Sequence, residues 1–209
     1  MGSSPRTLVI DTATEACSVA VIQDGACLAG DWRMLGRGHA ENLVPMIAAL
    51  PERGRADLIA VSLGPGSFTG VRVGLAAARA LGLAWGVPVV GYPTLALVAA
   101  MARDQAGAQA VSVAMTGGHG EWFVARYADD GSILEETRSL RPEAAVAGTR
   151  GLVAGSQAAA LVGAAGTGHV LDLWPDARAF PALPAFELRS DITPIYGRAP
   201  DAKVSASTV

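Results

Sequence analysis

At 209 residues the chain has room for one domain or two small ones, and with 51% hydrophobic and 17% charged residues it can build a core and is not disordered. A net charge of −3 excludes a global basic field for nucleic acid, so any RNA role needs a local patch or a partner that supplies the charge. Cys17 and Cys27 flank a turn and read as reduced core thiols, and the short polar start (residues 1–6) has no secretory apolar region, so a cytoplasmic protein is expected.

Residues 7–11 form a short apolar run ending in an acid. Residues 17–23 and 26–32 follow, joined by Asp24-Gly25, a strong hairpin signal, so the three runs predict an antiparallel meander. Leu43, Met46, Ile47 and Leu50 recur at helical spacing and predict a helix over residues 42–50. With Asn42 as N-cap, Pro45 falls in the first turn, where its missing N–H is harmless; a start near Ala40 would kink the helix there. A polar link (residues 51–57) leads to a strand at 58–63, a helix at 69–85, a strand at 87–90 and a helix at 94–103. The uncharged stretch 80–101 is broken by Gly86-Val87-Pro88 and Gly91-Tyr92-Pro93, so it reads as helix, buried strand and helix rather than a membrane span. After a linker at 105–109 the meander recurs as strands 110–115, 121–127 and 132–140, with Asp129-Asp130-Gly131 as its second turn. The pattern then thins to a strand at 151–154, a helix at 157–162, a strand at 169–171 and an irregular stretch at 175–184. Meanders followed by helix–strand alternation predict an α/β fold with mixed sheets covered by helices, divided into residues 1–104 and a reduced second domain, 105–209.

The turn Gly64-Pro65-Gly66-Ser67-Phe68-Thr69-Gly70 joins a buried strand to a helix. Its glycines permit φ > 0 or a close backbone approach, and Ser67 or Thr69 can cap the helix. Bare N–H groups and the helix dipole suit an anion, and a tight corner without a ligand has the same sequence. Asp11-Thr12-Ala13-Thr14 reads either as a contact to a metal-bound phosphate or as an Asx turn closed on its own backbone. Together Asp11, Thr12, Thr14, Gly64, Gly66 and Ser67 are the candidates for a vestigial phosphate site. His39, His119 and His169 show no metal-ligand spacing, so no metal site is expected within the chain. His39 beside Glu41 reads as an acid–base group or as a polar helix entrance. No Gly-x-Ser-x-Gly elbow is present.

Gly70, Gly74, Ala78 and Gly82 recur every four residues and make one smooth strip on the helix. Glycine inside a helix costs up to about 1 kcal/mol against alanine, so close approach of another backbone is expected, either the chain's own or a second subunit's. Arg72 and Arg79, on other faces, would fix the register of such an interface.

Four strings, Asp11 to Val19, His39 to Pro45, Gly64 to Arg72 and Pro194 to Lys203, together resemble the TsaB (YeaZ) family. The resemblance covers the first hundred residues closely and resumes at the C-terminus. It implies an actin/Hsp70/sugar-kinase (ASKHA) fold of two ribonuclease-H-like halves, the second reduced. It also implies a role in forming N6-threonylcarbamoyladenosine beside the tRNA anticodon, as a non-catalytic subunit. The partner would be a TsaD-like paralogue holding the metal, joined by a TsaE-like ATPase, so that ATP and metal belong to those subunits, none to this chain, and tRNA is met only through the complex. The implied pairing surface uses the first two helices, which makes Leu43, Met46, Ile47, Gly70, Arg72, Gly74, Ala78, Arg79 and Gly82 the interface candidates. The same smooth helix would serve a homodimer of the isolated chain.

The chain departs from its relatives where Asp-Ala-Arg is usual before Gly-Glu-Val-Tyr. Here Thr116-Gly117-Gly118-His119-Gly120-Glu121-Trp122 stands, without the acid and base, and Gly197 stands where Leu is usual. Against the subunit reading stand a nucleotide-dependent enzyme using Asp11 and the Gly64–Gly70 turn, and a glycoprotease-like peptidase, for which no nucleophile is set up.

Overall fold

Three apolar runs open the chain as β1 (Thr7–Asp11), β2 (Ala16–Gln23) and β3 (Ala26–Met34). The computed structural model describes residues 5–197. Asp24 and Gly25 both take positive φ (53° and 70°), as the right-handed twist of a two-residue hairpin requires. Leu8, Val9 and Ile10 are fully buried, because β1 lies mid-sheet between antiparallel β2 and parallel β4 (Leu58–Ser62), with both faces covered. Helix α1 (His39–Ala49) leads to β4, and α2 (Phe68–Trp85) carries the chain on to parallel β5 (Val89–Tyr92), which completes a sheet of order β3-β2-β1-β4-β5.

The second sheet repeats this plan. A meander of β6 (Val111–Thr116), β7 (Trp122–Tyr127) and β8 (Ile133–Leu140) is extended by parallel β9 (Leu152–Ala154) and β10 (His169–Leu171), in the order β10-β9-β6-β7-β8. The reduction is in the helices. Where the first half has 11 and 18 residues, the second has α4 (Pro142–Ala145) and α5 (Ala158–Ala165), of 4 and 8. Helix α3 (Thr94–Ala106) joins the halves. Its residues from Thr94 to Ala102 are all buried, because it packs between the two sheets and shares one apolar cluster with both. This accounts for the uncharged run, and among the described residues no helix is long and apolar enough to cross a membrane.

Several expectations are corrected. Helix α1 starts at His39 behind Gly38 (φ 86°), so Asn42 is no N-cap; it lies inside the helix and its side-chain amide donates to the Gly38 carbonyl at 2.8 Å. Pro45 is therefore interior, on the exposed side, where water can replace the lost donor. The linker at 105–109 is shorter, since α3 runs to Ala106. Of the two expected core thiols only Cys17, paired with Arg33, is buried; Cys27, paired with Ile22, is exposed. The tail does not stay with the second sheet. The Ala177 N–H donates to Ser18 Oγ at 2.9 Å, Phe180 packs edge-on to Tyr92 at 5.6 Å, and Gly91 exchanges two backbone bonds with Arg189. The apolar residues of this segment cover part of the first sheet. Of the C-terminal family string, Arg198 to Lys203 lies outside the described residues.

Candidate functional site

The corner between β4 and α2 is closed by the chain itself. Gly64 has φ 90°, a conformation that favours glycine. The Ser67 N–H donates to the Ala13 carbonyl at 2.7 Å, and Ser67 Oγ caps α2 by accepting from the Gly70 N–H at 3.2 Å. A Cβ on Gly66 would collide with the Ala13 carbonyl, and one on Gly70 with the Thr12 carbonyl. The close approach expected of these glycines is to the β1–β2 loop.

The six phosphate candidates do not converge on one opening. Asp11, Thr12 and Thr14 are 1%, 2% and 7% exposed. Asp11 accepts from the Ala13 N–H at 3.0 Å, which is the Asx turn, and from the Tyr92 hydroxyl at 3.1 Å. Thr12 Oγ1 donates to the Gly70 carbonyl, and Thr14 Oγ1 accepts from the Ala16 N–H. Only Thr14, Gly66 and Ser67 reach the adjoining cleft; Asp11, Thr12 and Gly64 lie behind it. Among the described residues no three His, Cys, Asp or Glu side chains cluster as metal ligands.

Burial pushes the Asp11 carboxyl up to about 6, outweighing the Ala13 N–H and the Tyr92 and Ser62 hydroxyls, which pull it down. The folded value lies above the unfolded one, so the contribution to stability is complete below about pH 4 and is lost as pH rises through about 6. With each pKa unit worth ~1.4 kcal/mol, the loss comes to about 3 kcal/mol. Asp11→Asn should therefore gain stability relative to the parent chain between pH 4 and 7; parallel urea-denaturation profiles across that range would refute this.

The smooth strip faces inward, contrary to the interface expectation. Gly70, Gly74, Ala78 and Gly82 are all buried. A Cβ on Gly74 would stand 2.5 Å from Thr12 Oγ1, and one on Gly82 would stand 2.5 Å from Val89 Cγ2, so the strip exists for the chain's own sheet. Leu43, Met46 and Ile47 are likewise buried, in the cluster that α1 shares with β1, β2 and α2. Of the nine interface candidates only Arg72 and Arg79 are exposed. Arg79 donates to the Ile192 carbonyl at 3.2 Å. The opposite face of α2 carries exposed Ala76, Ala80 and Ala84 and a Leu83 that is 87% exposed, with Arg72 and Arg79 on the same side. Beside it, α1 exposes Pro45, Ala48 and Val44, the last at 62%.

A cleft of about 1010 Å³ opens between the Gly-Pro-Gly corner and the end of β6. Its walls include Arg37, His39 and Glu41 at the start of α1, Phe68 and Arg72 at the start of α2, and Thr116 to His119 from the second half. The His39 ring Nε2 lies 3.3 Å from the Ala16 carbonyl, which fits the reading as a polar helix entrance. Ile195, Tyr196 and Gly197 close one side, held by the Ile195 N–H donating to Leu63 at 2.8 Å. A Cβ on Gly197 would stand 2.5 Å from the Phe123 ring, so no leucine fits there. Nothing local in the sequence marks Phe68, Phe123 or Tyr196 as cleft residues: Phe68 and Tyr196 lie within the family motifs, but no spacing signals an exposed aromatic ring.

The family described as TsaD, tRNA N6-adenosine threonylcarbamoyltransferase, matches residues 33–161. The Escherichia coli (strain K12) tRNA threonylcarbamoyladenosine biosynthesis protein TsaB is 38% identical over 147 residues, which are 66% of this chain and 63% of that protein. Two solved Pseudomonas aeruginosa chains share the fold. One, described as similar to peptidase YeaZ, is 30% identical with a TM-score of 0.77, covering 92% of this chain and 99% of that one. The other, YeaZ, is 27% identical with a TM-score of 0.76, covering 91% and 99%. The paired sheets and their repeated strand order fit the expected ribonuclease-H-like plan.

Proposed function

The chain belongs to the TsaB (YeaZ) family, and from that premise we propose that it is the non-catalytic subunit of a tRNA threonylcarbamoyladenosine-forming assembly, docked to a TsaD-like paralogue. The two ribonuclease-H-like halves then act as two domains of unequal duty: the first presents the docking helices, and the second supports the cleft. A TsaE-like ATPase joins the pair, and ATP and metal are bound by the partner subunits.

The observation that carries this reading is the outward face of α1 and α2. Val44, Ala48, Ala76, Ala80 and Leu83 are apolar, mostly small side chains exposed on this face, with Arg72 and Arg79 standing among those of α2, a mixture suited to the close approach of two further helices with charges to fix their register. The internal engagement of Asp11, 1% exposed and away from the cleft walls, weighs against phosphoryl chemistry built on it. The Ser139 hydroxyl in the cleft wall donates to the Glu121 carboxylate at 2.6 Å, and a serine–carboxylate contact alone does not make a peptidase. Co-expression with the TsaD-like protein of the same cell and size-exclusion chromatography tests the proposal. Co-elution as a stoichiometric complex is expected, and separate elution of two well-folded proteins refutes it.

A further inference from the structure

Three side chains gather at the mouth of the cleft, Phe68 and Arg72 from the first turns of α2 and Tyr196 from the tail. Phe68 and Tyr196 are 60% and 50% exposed. The Arg72 guanidinium lies 3.3 Å above the Phe68 ring centroid and donates to the Tyr196 hydroxyl at 3.0 Å. The two rings sit 6.0 Å apart at 34°. Two aromatic surfaces are thus held together by Arg72 while both stay open to water at the cleft. Both rings line the 1010 Å³ cleft, whose mostly apolar walls also include Ser67, Thr69, Thr116, Ser139 and Arg37.

We propose that the Phe68–Arg72–Tyr196 cluster is a stacking platform for a nucleobase, with the attached sugar and phosphate lying in the cleft. A 6.0 Å gap is too narrow to sandwich a ring, so the base stacks on the Phe68 face that Arg72 does not cover, or on Tyr196. The concave, mostly apolar wall fits a flat group on a flexible strand better than the convex surface of a globular partner. Glu15 and Glu41 stand in the same walls as Arg37 and Arg72, so the cleft is no basic funnel, and stacking rather than phosphate attraction supplies the affinity. The inference rests on the proposed role beside tRNA, which makes an unpaired base of an RNA loop the first source; a free nucleotide carries the same ring.

The test titrates the full chain with a fluorescein-labelled seven-residue adenosine RNA, followed by anisotropy, and with adenosine monophosphate, followed by ligand-observed NMR. Phe68→Ala and Tyr196→Ala should each weaken RNA binding about 10-fold or more. Phe186→Ala, at an exposed ring away from the cleft walls, should leave it unchanged. Equal sensitivity with adenosine monophosphate supports the site and makes free nucleotide its source. Binding of neither ligand, or binding indifferent to both substitutions, overturns the proposal. So does loss of co-elution with the TsaD-like protein while RNA binding persists, because the cluster is then a protein contact. Phe68→Leu keeps the apolar bulk and removes the ring, so it separates stacking from any change in folding. Co-elution retained while the chain binds no base would sink this inference alone and leave the docking role standing.

Discussion

Gly70→Ala is expected to destabilise the fold by about 2–3 kcal/mol, despite alanine's better helix propensity. The added methyl collides with the Thr12 carbonyl, which is fixed because Thr12 Oγ1 in turn donates to the Gly70 carbonyl at 2.7 Å. Moving α2 away would break that bond and the Ser67 N–H bond to Ala13, so the structure has no inexpensive relaxation. The internal control is Gly163→Ala in α5, where nothing lies within 4 Å of the new Cβ. There the substitution should gain about 0.5–1 kcal/mol through helix propensity and a stiffer unfolded chain. Opposite signs in urea denaturation are the expected result. A neutral Gly70→Ala would mean that the β1–β2 loop yields freely, and the corner would lose its status as the clamp between sheet and helix.

Glutamates at the outward positions should do the reverse. Ala76→Glu with Ala80→Glu adds charge to exposed helix positions, so stability should move by no more than about 0.5 kcal/mol per site. Burial of the same charges against a partner helix costs about 2–5 kcal/mol, enough to abolish co-elution with the TsaD-like protein at micromolar concentration. Gly74→Leu, chosen from the smooth strip, should instead lose the partner only because it loses the fold, since its side chain meets Thr12 Oγ1 and the β-sheet behind it. Thermal melting beside size-exclusion chromatography distinguishes the two failures. Retained pairing in the folded double glutamate variant would remove this face from the docking surface.

The legibility of the chain follows the range of the interactions concerned. The Asp24-Gly25 hairpin was readable because its turn needs positive φ at adjacent residues. Helix α2 was placed to within a residue by its Ser67 cap and by Gly86, which ends it at φ 69°. Helix α4 escaped notice because four residues carry no period. The start of α1 was misplaced because Asn42 satisfies the Gly38 carbonyl from inside the helix, a bond that resembles a cap only in composition. The return of the tail to the first sheet had no local mark: its Ala177 and Phe180 contacts fall on Ser18 and Tyr92, far away in sequence.

The sequence by itself determined the order of strands and helices, the repeated meander and the requirement that something come very close to Gly70, Gly74 and Gly82. It did not determine what comes close. A missing side chain records the distance of a neighbour and says nothing of whose backbone it is, and α2 carries small apolar residues on two faces, so their periodicity alone could not orient it. Only the tertiary structure turned the glycine strip toward Thr12 and Val89 and left Ala76, Ala80 and Leu83 outside. The reason is geometric. The crossover from β4 to β5 seats α2 on its own sheet with one face down, and the face that fits against a pleated surface without side chains is the one that is buried.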